Sequence, residues 1–166
     1  MIGAGLILGL LAVQAIAADA DPAAIIECRS DMAAYQAFAE KAISGAPPAG
    51  WESIAGTNPF LTEFRLARPI TAFDRLTSHV AFSGNAMLAL FDGVEPQAIA
   101  GPLGIANDLG GPSKFLGERV ISSKVEEDSD LGSRFTTVVA LNVSTVDTHP
   151  GKVLAGCSYR VDMEDL

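Results

Sequence analysis

The segment that begins near residue 21 has the apolar spacing of an amphipathic helix. Asp21 and Pro22 form an N-cap followed by proline in the first turn. Apolar side chains then recur at intervals of three and four residues: Ile25, Cys28, Met32, Tyr35, Ala39 and Ala42. Gly45 and the prolines at 47 and 48 end the pattern. The pattern predicts one long N-terminal helix whose apolar stripe, including Cys28, faces the core.

Six later segments have the apolar alternation or short apolar runs typical of β-strands. They cover residues 60–70, 76–82, 86–91, 115–125, 134–146 and 152–163. Residues 86–91 are apolar on both faces, which predicts a central strand. Residues 95–100 are predicted to form a short helix. Because short turns join successive strands, the predicted fold class is α+β. We expect an antiparallel sheet of about six strands, the long helix packed on it, and the short second helix between strands three and four.

The first residues are typical of an export signal. Residues 1–17 are apolar and end in Ala15-Ile16-Ala17, a small-x-small cleavage pattern. Ala18-Asp19-Ala20 is an alternative cleavage site, which would extend the signal to residue 20. The basic residue that usually begins a signal peptide is missing, since no Lys or Arg precedes the apolar run. The alternative to a cleaved signal peptide is an uncleaved membrane anchor. We expect cleavage, which leaves residues 18–166 as a single α+β domain without stable membrane insertion.

The two cysteines, Cys28 and Cys157, permit one intramolecular disulfide. Cys28 lies on the apolar stripe of the predicted helix. Cys157 lies on the inner face of the last predicted strand, where apolar and polar residues alternate. An exported chain reaches an oxidising compartment, so we predict that the two are bridged. Two separate buried thiols or an intermolecular bridge are the alternatives.

The net charge disfavours some classes of partner, and the sequence contains no recognisable metal-binding or phosphate-binding motif. A formal net charge of −9 disfavours nucleic acid and anionic lipid. The sequence contains none of the metal or phosphate motifs HExxH, CxxC, GxGxxG or GxxxxGK[ST], so no metal and no cofactor is predicted. In the strand predicted at 60–70, Glu63 and Arg65 alternate with Phe64 and Leu66 and are expected on the opposite face. His79 is expected on an outward strand face and His149 in a turn, as two separate, solvent-exposed imidazoles.

Four aromatic residues are the candidate binding residues. Trp51, the only tryptophan, and Phe60 lie in or beside the Gly/Pro-rich connection 45–59, where they are expected to form an apolar patch. The alternative for Trp51 is a cap on the end of the core. Tyr35 and Phe38 on the helix are expected to border any dry cavity between helix and sheet.

Three functions are compatible with this pattern. The leading hypothesis is a non-enzymatic exported domain of the periplasm or cell envelope, which binds a protein partner or a small apolar ligand. An exported hydrolase with a site built from loops 50–59, 101–114 and 147–151 is the second. A disulfide-stapled protein inhibitor is the third. A cleft that holds a histidine beside a carboxylate favours the hydrolase.

Overall fold

The computed structural model describes residues 20–109, 111, 114–128 and 133–165. The predicted signal peptide lies outside the described residues. Within these ranges, none of the helices has the length and apolar character required to cross a membrane.

The fold is dominated by one antiparallel sheet of seven strands. The strands are β1 (Trp51–Ile54), β2 (Thr62–Ala72), β3 (Arg75–Ser83), β4 (Ala86–Asp92), β5 (Leu116–Asp128), β6 (Ser133–Ser144) and β7 (Lys152–Asp165). Their order across the sheet is β1-β2-β3-β4-β7-β6-β5. Each half of the chain therefore forms a meander, and the pairing of β4 with β7 joins the two halves at the centre.

The prediction of a long N-terminal helix is wrong, because the segment divides at Cys28. It forms α1 (Pro22–Ile26) and α2 (Met32–Ile43). Cys28 has a left-handed φ of 56°. The amide of Arg29 donates to the carbonyl of Ala24, and that of Cys28 donates to the carbonyl of Ile25, which together form a Schellman motif. Asp31 then begins α2 by accepting a hydrogen bond from the amide of Ala34.

The strand count also differs from the prediction, because β1 lies within the connection that was expected to be a loop. Trp51 to Ile54 pairs with β2, with Trp51 opposite Leu66 and Ile54 opposite Glu63. The strand has only four residues, its two apolar residues are three positions apart, and the flanking glycines and prolines are typical of a loop. The fold is thus a seven-stranded sheet with three short helices, the third being α3 (Gln97–Ala100), and the predicted six-stranded sheet under a long helix is corrected.

The sheet has a helix face and a loop face. On the helix face, α1 and α2 cover side chains that include Phe64, Phe82, Met87 and Tyr159. A second apolar cluster lies on the loop face and contains Ala81, Ala86, Leu88, Leu90 and Leu154. Leu61 and Val146, from the loops before β2 and after β6, pack against this second cluster. Each face therefore carries a buried apolar cluster, although the helices lie on one face only.

The disulfide fastens the helix face. Cys28 and Cys157 are bonded, with their Cα atoms 5.2 Å apart, and Cys157 is fully buried. The predicted pairing is confirmed. Beside it, the rings of Tyr35 and Tyr159 stack at 4.6 Å, and the hydroxyl of Tyr159 donates to the carbonyl of Ile25 at 2.8 Å. The bond therefore holds the junction of α1 and α2 against β7.

Candidate functional site

A buried glutamate lies on the loop face of β2. Glu63 alternates with Phe64, which faces the helices, so periodicity places Glu63 on the opposite surface. Glu63 is only 3% accessible. The loops that precede β2 and follow β6 cover it. A buried carboxylate requires compensating donors, since an unpaired charge in the protein interior is strongly unfavourable.

Both histidines of the chain provide these donors. His79 Nε2 lies 2.7 Å from Glu63 Oε2, and His149 Nε2 lies 3.1 Å from the same oxygen. His79 comes from β3, where it pairs opposite Arg65 of β2, and His149 comes from the turn between β6 and β7. The expectation of two separate, solvent-exposed imidazoles is therefore wrong: the side chains of His79 and His149 are 20% and 7% accessible.

The donor and acceptor roles in this cluster follow from the carboxylate. An ionised carboxylate can only accept, so each Nε2 must carry its hydrogen. A neutral His149 then has an unprotonated Nδ1, which lies 3.0 Å from the hydroxyl of Thr148. With Glu63 ionised and His149 neutral, the Thr148 hydroxyl donates to His149, and His149 donates to Glu63. The result is a directed chain of hydrogen bonds from an exposed hydroxyl to a buried carboxylate.

The loop before β2 completes the arrangement. Asn58 Nδ2 donates to Thr148 Oγ1 at 3.2 Å, and its Oδ1 accepts from the amide of Phe60, which fixes the amide orientation. Thr57 Oγ1 donates to the carbonyl of Thr148 at 3.2 Å. We call Glu63, His79, His149, Thr148 and Asn58 the Glu63 network. It fastens two loops, about 90 residues apart in the chain, to the sheet.

The second carboxylate oxygen of Glu63 has a different environment. Oε1 is buried and has no hydrogen-bond partner within the described part of the chain. It lies against Gly56, where an added Cβ would be 2.1 Å away. Only glycine therefore allows the backbone of this loop to close over the carboxylate.

Burial also alters the titration of one histidine. Desolvation lowers the pKa of His79 from its usual 6.5, against the opposing effects of the hydrogen bond and charge of Glu63. The charges of Lys152 and His149 add to the lowering. His79 is therefore held in its neutral form near pH 7.

The network is not arranged as a metal centre. In the ranges that the structure describes, no group of three or more His, Cys, Asp or Glu side chains is positioned to hold a metal ion. Both imidazoles direct Nε2 to one carboxylate oxygen, so that oxygen occupies the point at which a shared ion would have to lie.

A cleft lies beside the network at the end of the sheet. Its volume is about 610 Å³, and we call it the loop cleft. Its walls come from residues 93–97 after β4, from Asn107, Gly111, Lys114 and Phe115 before β5, and from residues 145–147 and 149–153, which lead into β7. His149 belongs to this lining, as do Lys114 and Lys152 with Glu95 and Asp147. Lys114 pairs with Asp147 at 2.8 Å, and Lys152 pairs with Asp92.

Three of the four candidate aromatic residues meet in the core. Phe38 on α2 lies 5.6 Å from Trp51, measured between ring centroids, and Trp51 lies 5.7 Å from Phe64. Tyr35 stacks on Tyr159 and donates to the carbonyl of Gly84. Phe60 is separate and 79% exposed. The structure does not bring Trp51 and Phe60 together as a patch, and a binding role for the four residues stays a prediction.

Sequence reasoning missed Glu63 and the meeting of the two histidines. Alternation correctly placed Glu63 and His79 on the face opposite the helices, but it could not show that loops cover this face. Glu63, His79 and His149 lie in β2, in the middle of β3 and in the turn before β7, and no local pattern in the sequence links the three. Comparison of the chain with protein-family models, curated proteins and solved structures finds no match.

Proposed function

We propose that this chain is an exported domain of the periplasm or cell envelope that acts by binding a small ligand in the loop cleft. The single observation that carries the proposal is the cleft itself. Its volume of about 610 Å³ lies within the range of roughly 300–1,000 Å³ typical of small-molecule sites. Its walls are segments from three separate parts of the chain.

The lining favours a ligand with polar groups over the wholly apolar ligand expected from the sequence. Two lysines and two acidic residues border the cleft, together with His149 and the apolar side chains of Val94, Phe115 and Val153. The space against Tyr35 and Phe38 is instead filled by the rings of Tyr159, Trp51 and Phe82. A small molecule with an apolar body and polar or paired charged ends fits such a lining.

Rigidity supports binding at this position. The Glu63 network fastens the turn that carries His149, and the Asn107 side chain organises the opposite wall. Asn107 donates to the carbonyl of Lys114 and accepts from the amide of Leu116. Walls that are ordered before the ligand arrives reduce the entropic cost of binding. The buried disulfide and the export signal predicted from the sequence together support the proposed compartment.

The cleft is tested with the protein recovered from the exported fraction of its own cells. Native mass spectrometry should detect a bound small molecule, and proton–nitrogen NMR spectra should shift at Gly93 and Gly151 when a library of small polar fragments is added. Gln97→Trp places an indole in the lining and should abolish both signals. Gln36→Trp, on the exposed surface of α2, is the matched control and should leave them unchanged.

Two results would contradict the proposal. One is a wild-type protein that carries no additional mass and responds to no fragment at millimolar concentration. The other is binding that survives Gln97→Trp. Export is tested separately by mass spectrometry of the mature N-terminus, which is expected at Ala18 or Asp21.

A further inference from the structure

We propose that the Thr148 hydroxyl is an activated nucleophile, and that the chain Thr148–His149–Glu63 hydrolyses small uncharged carboxylic esters. The inference is independent of ligand binding in the loop cleft. It rests on three side chains joined in the order nucleophile, base and acid. Thr148 Oγ1 lies 3.0 Å from His149 Nδ1, and His149 Nε2 lies 3.1 Å from Glu63 Oε2. These distances lie within the reach needed for general-base activation of a hydroxyl.

Burial is distributed as acyl transfer requires. His149 and Glu63 are 7% and 3% accessible, whereas Thr148 is exposed. A substrate can therefore reach the hydroxyl while the base and the acid stay largely shielded from water. The buried carboxylate holds the imidazole in one tautomer and stabilises the imidazolium that forms during the reaction, which is the role of the acid in hydrolytic triads.

The surrounding residues fix the hydroxyl in the reactive orientation. Asn58 Nδ2 donates to Thr148 Oγ1, so the hydroxyl hydrogen is left to point at His149. Thr57 holds the carbonyl of Thr148 from the same loop. In the turn itself, the amide of His149 donates to the carbonyl of Val146 at 3.0 Å. Pre-organisation of this kind is what distinguishes a reactive pair from two side chains that meet on a mobile surface.

The reaction proceeds in two balanced halves. Thr148 Oγ1 forms a bond to the ester carbonyl carbon as its proton moves to His149 Nδ1. The bond to the leaving alcohol then breaks, and the alcohol takes the proton from Nδ1. Water attacks the acyl-threonine and gives a proton to Nδ1, which returns it to Oγ1 as the carboxylic acid departs. One ester and one water thus give one acid and one alcohol.

The charge of the protein selects the substrate class. A formal net charge of −9 repels phosphate esters and other anionic substrates, so uncharged esters are favoured. Thr148 lies on an exposed turn outside the lining of the loop cleft, which suits a small acyl group that needs little enclosure.

The test uses an ethyl fluorophosphonate as an active-site label, with peptide mass spectrometry to locate the adduct. We expect labelling of Thr148 in the wild-type protein and at least 100-fold slower labelling in His149→Gln, because general-base catalysis contributes about 10²–10⁴-fold. Thr148→Val should lose the adduct and Thr148→Ser should retain it. Hydrolysis of p-nitrophenyl acetate should follow the same order.

Two controls separate reactivity from folding. Gln36→Ala lies on the exposed surface of α2, outside the Glu63 network, and should label at the wild-type rate. Thr57 is an exposed hydroxyl in the neighbouring loop that donates to the carbonyl of Thr148 instead of an imidazole, so Thr148 should label at least 100-fold faster than Thr57 within the same molecule. The ratio of the Thr148 to the Thr57 labelling rate within one molecule tests the proposal even if His149→Gln does not fold.

The proposal is overturned if Thr148 carries no adduct in the wild-type protein. It is equally overturned if Thr148 and Thr57 label at comparable rates, or if a folded His149→Gln variant labels as fast as the wild type.

Discussion

Removal of the disulfide should cost this protein a large share of its stability. The bond joins residues separated by 129 positions, so it closes nearly the whole described chain into one loop. In the chain-entropy model, a loop of this length restricts the unfolded state by about 5 kcal/mol. Domains of ordinary stability unfold at a cost of roughly 5–15 kcal/mol, so the loss should be evident in any equilibrium measurement.

The measurement is urea unfolding of the double variant Cys28→Ala/Cys157→Ala, followed by the fluorescence of Trp51. Trp51 is the single tryptophan and packs between Phe38 and Phe64, so its emission reports the integrity of the helix face. Wild-type protein unfolded with and without a reductant is the companion experiment, because it leaves every side-chain volume unchanged. Thiol titration of the unfolded, unreduced protein should find no free thiol.

A matched variant separates the effect of losing the disulfide from the effect of the left-handed backbone at residue 28. The residue has a φ of 56°, which costs an alanine about 1–2 kcal/mol and a glycine little. Cys28→Gly/Cys157→Ala should therefore be about 1 kcal/mol more stable than the double alanine variant. If the double alanine variant and the reduced wild type both lose less than about 1.5 kcal/mol, the reasoning from loop closure is refuted.

Three further perturbations test the loop face and the helix face. Gly56→Ala should displace the Glu63 carboxylate and destabilise the protein by about 1–3 kcal/mol in urea unfolding. Gly111→Ala, where an added Cβ meets open space, should leave the stability nearly unchanged. Equal effects of the two substitutions would contradict the close approach of Gly56 to Glu63. Because burial lowers the pKa of His79, the unfolded chain binds its proton more readily, and stability should fall as the pH decreases through 6.5. This contribution has a slope of at most about 1.4 kcal/mol per pH unit and should disappear in His79→Gln; an unchanged pH profile in that variant would argue against it. Tyr159→Phe leaves a buried carbonyl without its donor and should cost about 1–3 kcal/mol, while Tyr35→Phe, whose partner Gly84 is in an exposed turn, should cost less; the reverse order in thermal unfolding would disagree with the structure.

Local patterns in the sequence determined much of the sheet. Alternation and short apolar runs located six of the seven strands, and the run at 86–91 correctly predicted the central strand. The pairing of Cys28 with Cys157 also followed from local reasoning, because each was placed on the apolar side of its predicted element. These features depend on the period of a strand or a helix, which a short window of sequence contains.

The errors arose where local signals compete. The apolar stripe continues past Cys28 at helical spacing, but Cys28 adopts a left-handed backbone conformation, and a second helix begins at Met32. An apolar cysteine at that position carries none of the glycine signal that normally marks a helix end. Likewise, β1 was hidden because its four residues stand between glycines and gain their stability from pairing with β2.

Only the tertiary structure decided the candidate site. The sequence assigned Glu63 and His79 to the face away from the helices, and this assignment is correct, but a face opposite the helices is not always exposed. Whether it is covered depends on loops that return from distant parts of the chain, such as the turn that brings His149 to Glu63 from 86 residues away. Periodicity describes which side of a strand a residue occupies, whereas burial and hydrogen bonding depend on contacts between segments that share no local pattern. For this reason the sequence alone determined six of the seven strands and the disulfide, and the folded chain alone determined that its two histidines share one carboxylate.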